Sequence, residues 1–382
     1  MSVRAAELFF ETLVLRPRVP AATLAGAWRG VRPGALAVLA EFEGSAQWMW
    51  RRLREIGASD AAPAPFARAV AERARRDAAR NLLVEAEAER VIRRLNELGV
   101  PVVLIKGIAR RVLPARWPYG DARATNDVDV LVRAGDAERV WQDFVARGYH
   151  RYNEFEAPPH ELPPIVGAGR VSVDIHVSLS RALPASEAWR RATTGSLELE
   201  WRGLQVRVPC AGELLWHGLT HALRHEVGAW RLRFFLDGAA ILASGDPVEW
   251  DSLRSRLDAA EVDPAVARRW LDAAAQLAGV ELPEGVSPVG PRFDARRMLR
   301  WRLAVLARGG DAGFTGRLLE EGTRVETGSP ATPQVQGAPP WKRARRLVAG
   351  RVARSVYRIW RAAVSSGLPA GAAQELAERH AA

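Results

Sequence analysis

The chain has 382 residues, 48% of them hydrophobic, enough for at least one full core, and its length suggests two or three domains. Its longest apolar runs, such as Ala239 to Ala243, fall far short of the roughly 20 residues a spanning helix needs, and Glu7 and Glu11 interrupt any signal-peptide core, so no stable membrane insertion is expected and the expected compartment is the cytoplasm. A net charge of +11 favours polyanionic partners, although Lys106 and Lys342 are the only lysines in an Arg- and Ala-rich chain that also fits GC-rich coding sequence; the single cysteine, Cys210, excludes a disulfide framework and any multi-thiolate zinc site.

Residues 1–97 read as a helical region, with breaks at Pro17, Pro20, Pro33 and Ala62-Pro63-Ala64-Pro65. A long helix is expected from Phe66 to Leu98. Leu82, Leu83, Ala86, Ala88, Val91, Ile92 and Leu95 would form its buried stripe, with Glu85, Glu87, Glu89, Arg90, Arg93 and Arg94 in solvent and Gly99 as its terminator. Val102 to Ile105 fits a strand buried on both faces. Lys106-Gly107 follows, then a short helix over Ile108 to Val112, whose first N–H groups would point towards an anion near Gly107. After a loop to Asn126, Asp127 to Val132 alternates, so Asp127 and Asp129 share one strand face while Val128 and Val130 point into the core.

Asp136 to Gly148 is the next amphipathic helix. Tyr149 to Phe155 and Arg170 to Val177 read as strands, the second carrying Ser172, Asp174 and His176 on one face. Helices return over Glu213 to His225, Leu232 to Ala243, from Trp250, Val266 to Leu277 and near Ala295 to Arg308. The Gly-, Ser-, Pro- and Gln-rich stretch ending at Pro340 reads as a linker. Beyond it, Trp341 to Val364 forms a basic amphipathic pattern suited to contact with a polyanion or a membrane surface, or to packing back on the domain.

Two carboxylates at i and i+2 on a strand present four oxygens from one face, a hard-ligand set suited to Mg2+ or Mn2+, with substrate phosphates completing the shell. Here the pair follows a buried strand ending in Lys-Gly and precedes a third acidic strand residue, Asp174. Gly107 would let backbone approach a phosphate closely. His217, His221 and His225 recur at four-residue steps and could meet a metal, an acceptor or simply the core; His176 could line the site or make a structural hydrogen bond.

These motifs resemble the uncharacterised nucleotidyltransferase family, within the wider polymerase-β-like nucleotidyltransferase superfamily. The resemblance rests on Leu104-Ile105-Lys106-Gly107, on Arg123-x-Thr125-x-Asp127-x-Asp129, on Val173-Asp174-Ile175-His176, and on the helical motifs Glu213-Leu214-Leu215-Trp216-His217, His221, Trp230-Arg231, Phe235-Leu236-Asp237 and Val248-Glu249-Trp250. It implies transfer of a nucleoside monophosphate from an NTP to an acceptor, with release of pyrophosphate. In that scheme Asp127 and Asp129 ligate two Mg2+ ions, and Asp174 completes the catalytic ion's site and helps deprotonate the acceptor. Thr125, His176 and His221 are candidate substrate-lining residues. Lys106 and Arg123 would neutralise the triphosphate. The superfamily's Gly-Ser or Gly-Gly is replaced here by Lys106-Gly107-Ile108, and Ile108 has no hydroxyl, so phosphate binding would lean on Lys106, Arg123 or Arg110.

The expected fold is therefore an α/β (α+β) nucleotidyltransferase-like core sheet over 98–210, flanked by helical regions over 1–97 and 211–310, with a linker over 311–340 and a basic tail over 341–382. The acceptor stays open among a small molecule, a modified peptide, a sugar and an RNA such as tRNA. A module that binds nucleotide or polyanion without catalysis is the alternative, and the three intact carboxylates speak against it.

Overall fold

The computed structural model describes residues 3–33, 35–113, 116–152, 160–180, 183–224, 231–259, 262–288 and 295–308. The expected linker and basic tail, and His225, lie outside the described residues. Helices α1 (Val3–Leu13), α2 (Ala21–Trp28), α3 (Leu36–Phe42), α4 (Ala46–Glu55) and α5 (Ala64–Glu97) lead into the sheet. Pro20 and Pro63 sit at the N-caps of α2 and α5, where a missing N–H costs nothing. Helix α5 ends as expected at Gly99, whose φ of 65° is the left-handed turn that closes a helix. Gly99 N–H donates to Asn96 O and Val100 N–H to Leu95 O, satisfying two carbonyls of the last turn.

The phase of α5 differs from the expected stripe. Leu82 and Leu83 are exposed, at 66% and 53%, and Ala86 is exposed too, whereas Asn81, Val84, Glu87, Ala88, Val91, Ile92 and Leu95 face inward. The inward face is continuous in helical phase only if it runs through Asn81 and Glu87. Each of these polar residues is satisfied there: Asn81 by the backbone around Arg123, Glu87 by Tyr149 and Arg90.

The sheet strands are β1 (Val103–Leu104), β2 (Asp127–Leu131), β3 (His150–Arg151), β4 (Ile165–Val166), β5 (Ser172–His176), β6 (Leu197–Trp201) and β7 (Leu204–Val208). Helix α6 (Lys106–Arg111) follows β1, α7 (Ala134–Ala146) follows β2, and α8 (Ala185–Thr193) precedes β6. Among the described residues they make a seven-stranded mixed sheet in the order β3-β4-β5-β2-β1-β7-β6. Strands β2 and β5 are parallel neighbours, and β1 pairs antiparallel with β2. The expected burial of β1 on both faces holds. Leu104 joins the main core with Val128, Val130, Val173 and Ile175, while Val103 packs on the other face with Ile105, Leu131, Leu179 and the α8 residues Ala188 and Ala192.

Helices α9 (Ala211–Arg224), α10 (Leu232–Ser244), α11 (Trp250–Asp258), α12 (Pro264–Ala278) and α13 (Ala295–Arg308) complete the described residues, close to the expected positions. No helix among the described residues is long and apolar enough to cross a membrane. One hydrophobic cluster runs from Ala5 in α1 through the sheet to Leu306 in α13, so the helices on either side share a core with the strands.

A buried carboxylate ties this core to the site. Glu43, fully buried after α3, accepts from Arg302 of α13 at 2.6 Å and from the Leu232 N–H at 2.8 Å. It thereby satisfies an orphan donor at the start of α10 and fixes the helix that carries Asp237. Glu43→Ala would take away the carboxylate that Arg302 Nη1 and the Leu232 N–H donate to, and urea denaturation is expected to show a loss of about 3–5 kcal/mol. Glu43→Gln, which keeps an acceptor for Leu232, is expected to lose less.

Candidate active site

The carboxylates come together because β2 and β5 run parallel in one register. Asp127 lies opposite Ser172, Asp129 opposite Asp174 and Leu131 opposite His176. With a side-chain period of two, Asp127, Asp129, Asp174 and His176 all project from the sheet face that α8 covers further along, at Leu131. Asp129 is fully buried and His176 nearly so, while Asp127 and Asp174 keep partial access to solvent.

Lys106 reaches this face from the end of β1. Ile105 N–H donates to Asp129 O at 3.2 Å, and the chain then turns sharply, with Lys106 at a φ of 52°. For a residue with a Cβ that left-handed conformation costs about 1–2 kcal/mol. The turn delivers Lys106 Nζ to Asp129 Oδ1 at 2.6 Å and to 3.4 Å from His176 Nε2, which is itself 3.0 Å from Asp129 Oδ1. Ser172 Oγ donates to Asp174 Oδ1 at 2.8 Å.

These groups perturb one another strongly. Burial, reinforced by Asp129 and Asp127, pushes Asp174 up to about 7. The Asp129 charge, with burial second, raises Asp127. Burial works against the charge of Lys106, but Asp129, Asp127 and Asp174 hold its pKa above the usual lysine value. Burial and the Lys106 charge hold His176 well below the usual imidazole range, so it is neutral near pH 7. Asp129 Oδ2 is buried with no hydrogen-bond partner.

Ligand atoms of Asp129, Asp174 and His176 lie within 4.8 Å of one another. Together with the orphaned Asp129 oxygen, this donor set fits a hard divalent cation, with one imidazole added to the oxygens. Among the described residues this grouping includes His176 rather than Asp127, although Asp127 shares the face.

The basic residues form a second tier. Arg123 and Arg110 converge on Asp237 of α10: Arg123 Nε lies 3.0 Å from both carboxylate oxygens, and Arg110 Nη1 donates to Oδ1 at 2.7 Å. Arg110 is 4% exposed, and burial, aggravated by Arg123, pushes it down to about 10. Arg123 is opposed by burial too, but Asp237, Asp127 and Asp129 keep its pKa above the usual value. Thr125 is buried; its N–H donates to Asn81 Oδ1 at 2.9 Å, and Asn81 Nδ2 donates to Arg123 O at 3.0 Å, so α5 clamps the loop entering β2. Gly107 is buried under this loop. A Cβ there would run into the Arg123 guanidinium and lie 2.6 Å from Thr125 Cγ2, so the missing side chain makes room for the loop.

Of the three histidines spaced at four-residue steps, His217 and His221 lie on α9 within the described residues. His217 is buried and its ring lies 6.1 Å from that of His221, which packs 6.0 Å from Phe234 of α10.

Sequence reasoning assigned no role to Asn81 or Arg233, and quoted Asp237 in a helical motif without giving it one. Arg233 lines a narrow crevice of about 70 Å³ together with Arg73, Asp77, Arg123, Asn126 and Asp237. Exposed along this crevice, it is still crowded enough by protein, and by Arg123 and Arg231, to be pushed down to about 10. A larger groove of about 580 Å³ lies between α4 and α5, lined by residues such as Trp50, Arg54 and Ala78, and includes none of the three strand carboxylates.

Asp237 is the shared anion of the buried Arg110 and the half-buried Arg123 guanidinium groups. Asp237→Ala is expected to destabilise the fold by about 3–5 kcal/mol, the scale for breaking a buried pair, read as a lowered thermal midpoint; an unchanged midpoint would mean that the two arginines find other partners.

No curated protein matches the chain. A family model described as "Uncharacterised nucleotidyltransferase" matches residues 30–275, well over half of the chain and a span that includes β1, β2, β5 and α10. With the three acidic strand residues and the lysine turn falling inside that span, the chain belongs to the uncharacterised nucleotidyltransferase family.

Proposed function

We propose that the protein transfers a nucleoside monophosphate from an NTP to an acceptor that carries a hydroxyl or phosphate. The single observation that carries this reading is the register of β2 and β5, which sets Asp129 beside Asp174 with one Asp129 oxygen left unpartnered. Asp127, Asp129 and Asp174 would hold two Mg2+ or Mn2+ ions, with His176 Nε2, 3.0 Å from Asp129 Oδ1, positioning that ligand. When bound, such ions supply charge neutralisation at the phosphates and lower the pKa of an acceptor hydroxyl.

The protein's own groups suit the remaining work. Burial and the neighbouring carboxylates push metal-free Asp174 up to about 7; bound cations would offset that crowding and hold it ionised, the form able to take the acceptor proton. The acceptor oxygen then forms a bond to the α-phosphorus, the bond to the bridging oxygen breaks, the proton passes to Asp174, and pyrophosphate leaves. Lys106 Nζ and Arg123 would offset charge on the triphosphate, and Arg233 adds an exposed cation along the same crevice as Arg123. Gly107 and Arg110 would act in support, the glycine by admitting Arg123 and the arginine by sharing its anchor, Asp237. Small molecules, modified peptides, sugars and RNA remain the acceptor classes, and the compartment expected is the cytoplasm.

Incubation with each labelled NTP, Mg2+ and host extract is expected to yield a labelled acceptor. Asp129→Asn should reduce that transfer by at least about 1,000-fold, since it removes charge at the centre of the metal set. Transfer unaffected by Asp129→Asn would sink the assignment of these residues.

The acidic cluster also predicts how stability depends on pH. In unfolded chain Asp174 titrates near the ordinary value of about 3.9, so folding raises it to about 7. The folded state then binds more protons, and its stability in EDTA should fall as pH rises from about 4 to about 7. Asp174→Asn is expected to flatten that fall and to raise the thermal midpoint at pH 8 in EDTA, while reducing transfer. A midpoint lowered by this substitution would contradict the charge crowding.

A further inference from the structure

We propose that His160, Glu161 and His176 form a second metal site, distinct from the carboxylate site, that takes a transition metal ion of the Zn2+ class. Two imidazoles and one carboxylate are a donor set that zinc accepts, leaving a fourth position for water or substrate. Imidazole nitrogen favours such borderline ions over Mg2+, which prefers oxygen.

The geometry is set by backbone. Leu162 N–H donates to Ile175 O at 2.9 Å, while Val177 and Ser178 N–H donate to His160 O at 3.0 and 3.1 Å. These bonds hold Glu161 directly opposite His176 in an isolated antiparallel bridge, a pairing that puts both side chains on one face about 5 Å apart at Cβ. Ligand atoms of the three residues lie within 4.8 Å of one another. His176 Nδ1 stands 3.5 Å from Glu161 Oε2, and His160 Nε2 stands 3.9 Å from the same oxygen. Tetrahedral zinc, with bonds near 2.1 Å, separates its donors by about 3.4 Å, so small side-chain shifts would close the site.

The second observation is His176 itself. It is 2% exposed, and its Nδ1 has no hydrogen-bond partner although it faces Glu161. Its other nitrogen, Nε2, is engaged with Asp129 and Lys106. With the Nδ1 lone pair turned to this site, Nε2 carries the ring proton and can donate it to Asp129 Oδ1 at 3.0 Å. The competing role for Glu161 is to orient His176 as a ligand of the carboxylate site, as carboxylates often orient metal-bound histidines.

The inference stands apart from nucleotidyl transfer, and its test reads metal rather than activity. Full-length protein freed of metal with EDTA would be dialysed against Zn2+ and its zinc content measured. One zinc per chain is expected, retained when Asp129 and Asp174 are both changed to Asn. In His160→Gln and in Glu161→Gln, each checked for an unchanged metal-free thermal midpoint, zinc affinity is expected to fall more than about 100-fold, beyond the 10- to 100-fold typical of losing an orienting partner. Zinc lost with the aspartates but kept in His160→Gln would overturn the proposal, as would zinc binding no stronger in the native protein than in His160→Gln. Should either variant unfold, Co2+ titration of the native protein decides. Visible absorption displaced by Zn2+ but not by Mg2+ with NTP supports the site, and displacement by Mg2+ with NTP overturns it.

Discussion

Carboxylates forced together on one sheet face repel, and the rest of this site is organised around that repulsion. Two charges within 4.8 Å of each other, as ligand atoms of Asp129 and Asp174 are, interact by roughly 3–4 kcal/mol at an effective dielectric of about 20. Parallel pairing of β2 with β5 fixes the separation, so the side chains cannot relax apart without breaking the ladder. Lys106 is the internal answer. Its ammonium sits on Asp129 at the expense of a left-handed backbone turn, yet it leaves the second oxygen of Asp129 unpartnered and Asp174 raised to about 7. A fold that keeps such an imbalance is one in which an additional cation is stabilising.

The second tier spends buried charge on position. Asp237 gathers Arg110 and Arg123, Asn81 holds the loop between Arg123 and Thr125, and Glu43 anchors the start of the helix that carries Asp237. Buried pairs of this kind add little net stability, because desolvation offsets attraction. Their effect is geometric: Arg123 keeps its charge near Asp127 and Asp129 while its Nε is tied to α10. The same chain of contacts brings Arg233, two residues into α10, to the crevice that Arg123 lines. Helices from both ends of the described chain therefore hold the arginine side of the site, while the sheet holds its carboxylate side.

How much of this could be read in advance follows from the range of the interactions. Strand alternation is local, so Asp127, Asp129, Asp174 and His176 are legible on their strand faces, and the family resemblance implies that the three carboxylates share one site. The burial of β1 followed from its uniform Val, Leu and Ile content. Asn81, Glu43, Asp237 and Glu161 were not legible as site-forming residues, since their partners lie far away in sequence and polarity alone suggests solvent. For the same reason the stripe of α5 was misphased: Leu82 and Leu83 looked like core, while Asn81 and Glu87 took the inward positions through hydrogen bonds. The hairpin of β6 and β7 passed unread, although Leu197-Glu198-Leu199-Glu200-Trp201 alternates and the following Arg202 and Gly203 both adopt positive φ, the signal of a tight hairpin turn.

The central claim is that β2 and β5 present a site that demands divalent cations together with a nucleotide. Electron paramagnetic resonance of Mn2+, titrated into metal-free protein with and without a non-hydrolysable NTP, tests it most directly. The account predicts that protein depletes the free Mn2+ signal, that nucleotide increases the depletion, and that changing Asp127 and Asp129 to Asn abolishes the nucleotide-dependent part. A free Mn2+ signal that protein leaves unchanged, with nucleotide present, would contradict it.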